Sequence, residues 1–339
     1  RRWAPPGPAG GAIRPRGFAA LAQGTHLHTE TPLVYSHPMS ARLGADVYLK
    51  LDCLQPSGSF KLRGIGRTVR CLVDQGAQCV VSSSGGNAGL AAAYAARAVG
   101  VPCTVVVPST TPGDVHARLR AMGAEVVVHG GVWDEADVRA RQIVEEQRGG
   151  YVHPFDQPST WQGHASLVEE LARQLPRVPD AIVTCVGGGG LLMGILEGVR
   201  AAGWSRTRVV AAETEGASCM AQSLKAGELV TLPAVASIAK SLGALTPSRE
   251  VFERCVELGP ERVRPFVTTD AEAVAACVRL CAEHRLLVEP ACGAALAVAA
   301  QPCEGLADCK TVVVEVCGGA IVNLDMLSAW AADLGVPRA

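Results

Sequence analysis

VTCVGGGGLLMG, Val183 to Gly194, is the stretch on which the fold turns. A β-branched apolar run ends at Val186, four glycines follow, and a helix is predicted from about Leu191. A run apolar on both faces suits a strand covered on both sides. Four glycines let the chain turn sharply and aim several N–H groups at one anion. The following helix adds the partial positive charge of its N-terminus, so a phosphate is the natural ligand. A plain tight turn would need only one or two glycines. The nucleotide-binding P-loop also requires a lysine after its glycines, and none is present. The dinucleotide fingerprint GxGxxG fails because Leu192 and Met193 occupy the third-glycine positions. A smaller phosphorylated cofactor is left.

Outward from this loop, β-branched runs alternate with helical stretches. Strands are predicted at 46–52, 78–83, 103–108, 125–130, 181–186, 208–214 and 311–317. Helices are predicted at 87–100, 114–123, 134–149, 191–203 and 271–285. This alternation implies an α/β protein with mostly parallel sheets covered by helices on both faces.

Two more glycine turns follow predicted strands. In VVSSSGGNAGLAAAYAA (80–96), Ser82, Ser83 and Ser84 precede Gly85, Gly86 and Asn87, and an alanine-rich helix begins. Backbone amides with Ser84 suit a carboxylate, and Asn87 can donate to a phenolate oxygen. A helix cap needs one such residue, not six. In VVVEVCGGAIVN (312–323) a strand delivers Cys317 to a Gly-Gly turn at the sheet edge where α/β proteins bind ligands. A fourth stretch, QPSGSFKLRG (55–64), presents Lys61 after Phe60 and a run of small residues. A lysine can form a Schiff base with an aldehyde cofactor, and pyridoxal phosphate is both aldehyde and phosphate. Phe60 would then pack on the pyridine face, the tetraglycine loop would take the phosphate, and Ser84 to Asn87 would take a substrate carboxylate.

Composition narrows the classes. The 339 residues carry a formal charge of −1 and only 4% aromatic residues, which argues against a nucleic-acid partner. The longest charge-free apolar run, Ala181 to Leu196, is too short to span a membrane and is interrupted by glycines. Thirteen cysteines, an odd number without a CxxC pair, read as reduced thiols in a cytoplasmic compartment. Residues 1–24 hold four arginines and no acids, which reads as a disordered tail or a mitochondrial targeting remnant. His26, His28 and His37 lie among turn residues and are assigned no metal; His164 is expected to make a structural hydrogen bond.

KLDCLQPSGSFKLRGIG, SSSGGNAGLAAAYAARAVGVP, WQGHASLVEEL, VGGGGLLMGILEGV, AAETEGA, SIAKSLGA, VEPACGAALA and VVEVCGG together resemble the serine/threonine dehydratase family of fold-type II pyridoxal-phosphate enzymes. Within it the resemblance is to the animal L-serine dehydratases and their dehydratase-like relatives, and runs from about residue 30 to 330. It implies a tryptophan synthase β-like fold of two three-layer α/β/α domains. Residues 25–55 and 156–339 would form the large cofactor domain and 56–155 a small mobile domain. By position, Lys61 matches the Schiff-base lysine, Phe60 the ring-stacking residue and Asn87 the partner of the 3′-oxygen. Gly187, Gly188, Gly189, Gly190 and Leu191 match the phosphate loop, and Cys317 matches the residue that faces the pyridine nitrogen. Ser84, Gly85, Gly86, Asn87 and Ala88 match the substrate loop. A monovalent cation, K+, would take the carbonyls of Gly187, Ala217, Leu242 and Ala244 and the Glu213 carboxylate, although Cys219 stands where serine is usual.

The implied reaction is loss of water and ammonia from L-serine or L-threonine, giving pyruvate or 2-oxobutyrate, in a homodimer. The alternatives are another β-eliminating or β-replacing enzyme of the same cofactor, or a dehydratase-like protein of low activity. Gly85 replaces the serine of relatives that racemise, so little racemisation is expected. It also replaces the alanine of liver-type enzymes, and the missing methyl is expected to loosen the substrate pocket and lower turnover. Ala320 replaces a usual polar residue. The chain ends soon after its last motif, so a regulatory domain answering to isoleucine is not expected.

Overall fold

The computed structural model describes residues 26–301 and 303–337. The arginine-rich tail lies outside the described residues. Ten strands form two sheets. The larger holds β1 (Leu33–Tyr35), β2 (Asp46–Lys50), β7 (Ala181–Cys185), β8 (Arg208–Thr214), β9 (Val263–Thr268) and β10 (Thr311–Glu315), in the order β1-β2-β10-β7-β8-β9. Only β1 runs antiparallel to its neighbour. The smaller sheet is entirely parallel, in the order β5-β4-β3-β6, from β3 (Val80–Ser82), β4 (Cys103–Val107), β5 (Glu125–Val128) and β6 (Gly150–Tyr151).

Central strands β4, β7 and β10 are buried along their whole length, which is why they read as unbroken apolar runs. Apolar cores lie on both faces of the larger sheet. Val183, Val210 and Val314 pack toward the helices Asp270–His284 and Pro290–Leu296. Ile182, Val209 and Val313 pack toward Pro158–Gln174 and Gly190–Ala201. The helix Asn87–Val99 shows why alanine fills it. It packs closely on β3, β4 and the helix Lys61–Asp74, and Ala91, Ala92, Ala95 and Ala96 are fully buried.

Three strands escaped the sequence reading for physical reasons. β1 and β6 have three and two residues. β9 contains Pro265, which demotes a run to an edge, and the edge is where β9 lies. All thirteen cysteines are free thiols, as the odd, scattered set implied. Among the described residues no helix is long and apolar enough to cross a membrane.

Candidate active site

The turn carrying Lys61 is built against the Gly-Gly turn after β10. The Phe60 amide donates to the Cys317 carbonyl at 2.9 Å, the Gly319 amide to the Gly58 carbonyl at 3.1 Å, and Ser59 bridges Gly318. Gly318 and Gly319 take φ of +112° and +146°, conformations that only glycine adopts readily. Two stretches more than 250 positions apart in sequence thereby put Lys61 and Cys317 side by side. Lys61 opens the helix Lys61–Asp74, and its Nζ donates to the Pro154 carbonyl at 2.7 Å. Burial lowers its pKa to about 8, toward a free amine at neutral pH.

Two residues on, Arg63 fixes that helix. It is fully buried and reaches Asp52 through Nε at 2.6 Å and Glu170 through Nη1 at 2.6 Å. Lys50 Nζ joins Glu170 at 2.5 Å. Two cations thus meet two carboxylates, and Thr31 and Ser166 hydroxyls fill much of the remaining hydrogen-bonding capacity.

Lys61 faces a cavity of about 640 Å³. Phe60, Ser84, Gly86, Asn87, Ala88, Gly187, Gly188, Gly189, Gly190, Leu191, Leu242, Ala244 and Cys317 also line it, so sequence-predicted residues from five separate stretches converge. The tetraglycine loop earns its composition through crowding. A methyl on Gly188 would overlap the Phe155 ring, one on Gly190 the Phe155 carbonyl, and Gly189 sits at φ +95°. The loop opens the helix Gly190–Ala201 with no side-chain cap, leaving its first amides turned toward the cavity. The helix Asn87–Val99 also begins uncapped at the cavity wall. Two anion sites of main-chain amides therefore flank one lysine, and a phosphate and a carboxylate both fit.

Asn87 is held at both ends. Its Nδ2 donates to Glu289 Oε1 at 2.9 Å, and its Oδ1 accepts the Ala320 amide at 3.2 Å. One Nδ2 hydrogen remains for a ligand. Cys317 is buried, and hydrogen bonding with the Cys185 and Cys292 thiols, with burial, holds its pKa well above the ordinary range, so it stays neutral.

Some expectations change. Gly85 does not line the cavity. A methyl there would point at Val107 at 3.1 Å and Thr111 at 3.3 Å, into packing beneath the loop and away from the substrate space. The looser pocket expected from its missing methyl is not what the structure shows. Of the three serines only Ser84 reaches the cavity; Ser83 donates to Asp137 at 2.7 Å. His164 makes no hydrogen bond through either ring nitrogen and packs 5.1 Å behind Phe60.

Glu213 is fully buried. Its carboxylate accepts the amides of Met220 at 3.0 Å and Ala221 at 2.7 Å, and burial raises its pKa to about 8. Beside it the Gly187 carbonyl lies 3.7 Å from the Cys219 thiol, and the Leu242 carbonyl accepts the Ala244 amide. A buried carboxyl without a basic side chain partner suits a small cation among carbonyls.

Glu289, Phe155, Pro154 and Trp133 line the cavity and were not singled out from sequence. Glu289 carried a signal, an acid before Pro290 at the start of an otherwise apolar stretch. Phe155 and Pro154 carried none.

A buried lysine, uncapped anion loops and a neutral thiol at the C-terminal edge of a parallel sheet define a fold-type II pyridoxal-phosphate enzyme. Residues 25–318 match the pyridoxal-phosphate dependent enzyme family, and the chain belongs to it. Among its relatives, the human protein named serine dehydratase-like is 45% identical over 316 residues, covering 91% of this chain and 95% of that protein. A bovine L-serine dehydratase/L-threonine deaminase is 44% identical over 93% of this chain and 98% of its own length. The crystal structure of a fungal L-serine ammonia-lyase from Rhizomucor miehei superposes with a TM-score of 0.82 at 35% identity, covering 91% of this chain and 100% of that one.

Proposed function

We propose that this chain is an ammonia-lyase that removes water from L-serine and L-threonine, yielding pyruvate or 2-oxobutyrate with ammonia. The observation that carries the reading is Lys61 Nζ, buried in a cavity flanked by two uncapped helix N-termini and a neutral Cys317. The names of the relatives support the substrates. Pyridoxal phosphate, when bound, supplies an aldehyde that captures the substrate amine and a ring that accepts electrons from the substrate Cα.

The chain's own residues do the rest. The amides of Gly187 to Leu191 would hold the phosphate, and Phe60 would cover one ring face. The free Nδ2 hydrogen of Asn87 would meet the 3′-oxygen, with Glu289 and the Ala320 amide holding the amide plane. Ser84 and the backbone from Gly86 to Ala88 would bind the substrate carboxylate; Gly85, which does not line the cavity, would shape the loop beneath them. Lys61 Nζ takes the α-proton, a role that needs the free amine its burial favours. Cys317, held neutral, would present no carboxylate to the ring nitrogen, so the electron withdrawal the ring supplies would be modest, which suits β-elimination. K+ would sit against Glu213 and the carbonyls of Gly187, Ala217, Leu242 and Ala244, favouring the ionised form of a carboxyl that burial otherwise keeps protonated.

The test is direct. The full chain incubated with pyridoxal phosphate gains visible absorbance, borohydride fixes the cofactor to Lys61 in peptide mapping, and serine or threonine alone yields keto acid. Label on another residue, or no keto acid from either amino acid, would overturn the reading.

A further inference from the structure

One wall of the cavity holds a cluster that the reaction above uses only in part. The Cys185 thiol, a Glu315 carboxylate oxygen and the Cys317 thiol lie within 4.8 Å of one another, and all three residues are buried. Cys185 ends β7 and Glu315 ends β10, and the parallel pairing of these strands brings the two ends together. Cys292, from the helix Pro290–Leu296, adds a third thiol within hydrogen-bonding reach of Cys317. Glu315 is the anomaly. One of its oxygens reaches only Thr184 Oγ1, at 3.5 Å, and the other has no partner. A buried polar atom left unmatched is destabilising, so an arrangement of this kind calls for a ligand.

We propose that Cys185, Cys317 and Glu315 form a binding site for a soft divalent cation, of the class of Zn2+ or Cd2+, in the cofactor-free chain. Thiolates select such ions over Mg2+ or Ca2+, which take oxygen ligands. A tetrahedral site with Zn–S of roughly 2.3 Å sets sulfurs about 3.8 Å apart, so the cluster closes on an ion by side-chain shifts of an ångström or less. Cys292 is the available fourth ligand. Binding releases the protons of both thiols and the carboxyl to solvent. Two thiolates and one carboxylate around a divalent ion leave one negative charge, which would draw a proton onto Lys61, near both thiols. Cys185 and Cys317 line the cavity, which is the entry path. Cys317 would also face the cofactor ring, so ion and cofactor exclude each other. That exclusion rests on the proposed cofactor placement; the metal site rests on the cluster alone.

The full-length chain, stripped of cofactor and kept reduced, is titrated with Cd2+ while thiolate-to-metal charge-transfer absorbance is followed in the ultraviolet. One tight equivalent is expected. Glu315→Gln should weaken it tenfold or more, and Cys185→Ser with Cys317→Ser should abolish it, leaving only the weak signal of other thiols. Zn2+ should also protect Cys185 and Cys317 of the unsubstituted chain from alkylation, read by peptide mass, which needs no variant to fold. An undiminished band in the double-serine chain, or no protection, overturns the site. Saturation with pyridoxal phosphate should suppress the band. Equal Cd2+ binding with and without cofactor would leave the metal site standing and overturn the exclusion together with the assigned position of the ring.

Discussion

Glu289 stands directly before Pro290, with one carboxylate oxygen accepting from Asn87 and the Ser241 side chain close to the carboxyl. Burial raises its pKa from 4.5 to about 7. The folded chain therefore holds a proton there that the unfolded chain releases. Its stabilising contribution is complete below 4.5 and is lost as the pH rises through about 7. Over that window it amounts to about 3 kcal/mol. Buried His28 and His164, with lowered pKa, titrate across the same interval with the opposite sign in both chains, so the measurable is the difference: the stability of the cofactor-free parent relative to Glu289→Gln should fall from pH 4.5 to about 7. An equally steep profile in the variant would refute the assignment. Lys61, with its pKa lowered, acts at higher pH and with opposite sign, so the difference between parent and variant isolates Glu289. Gly85 permits a second prediction at this scale. A methyl there presses on Val107 and Thr111, not on substrate, and those side chains need yield only a few tenths of an ångström. Gly85→Ala should leave turnover on serine within about twofold and stability within about 1 kcal/mol. A large gain in turnover would restore the idea that a methyl at this position fills the substrate space.

At the scale of elements, the tetraglycine loop combines two demands, open amides toward an anion and a backbone pressed against Phe155. Gly188→Ala forces its methyl into the Phe155 ring, an overpacking that costs about 1–3 kcal/mol. Pyridoxal phosphate titrations should show affinity lowered tenfold or more, and adding Phe155→Ala should recover part of it by opening the same space. The first demand was legible in the sequence, because four glycines between a buried strand and a helix exceed what a turn requires. The second was not, because nothing around Phe155 reports that its ring lies against a loop more than thirty positions away. The same division holds elsewhere. Lys61, Asn87 and Cys317 could be found because each sits in a local pattern with chemical content. The directions taken by Gly85 and Ser83 could not, since a turn places successive side chains by its dihedral angles and not by their identities. Strand β9 was hidden by Pro265, whose missing N–H is harmless only because tertiary structure puts β9 at an edge.

Across the whole molecule, the ionic cluster at Arg63 decides what can move. The smaller sheet lies wholly within residues 56–155, and we propose that this unit closes over substrate. The helix that begins at Lys61 belongs to it by sequence, yet its first turn is fastened through Arg63 to Asp52 and Glu170, which flank the larger sheet's elements. Closure that carried Lys61 along would have to separate buried charges. In that proposal the pivot would lie beyond the first turn of this helix, and Lys61 would stay with Cys317 and the phosphate loop while the Ser84–Ala88 loop approaches. Breaking such a cluster from one side leaves uncompensated buried charge and costs about 3–5 kcal/mol. Arg63→Met leaves Asp52 without its cation and Glu170 with Lys50 alone. The variant should melt well below the parent, and hydrogen exchange should accelerate first at the start of the Lys61–Asp74 helix. Its turnover should fall more than its affinity for pyridoxal phosphate, because the phosphate loop lies on separate elements while the position of Nζ depends on this anchor. A variant with normal exchange in that first turn would show that Lys61 is positioned by the Gly-Gly turn alone, and the pivot would then be free to lie at Lys61 itself.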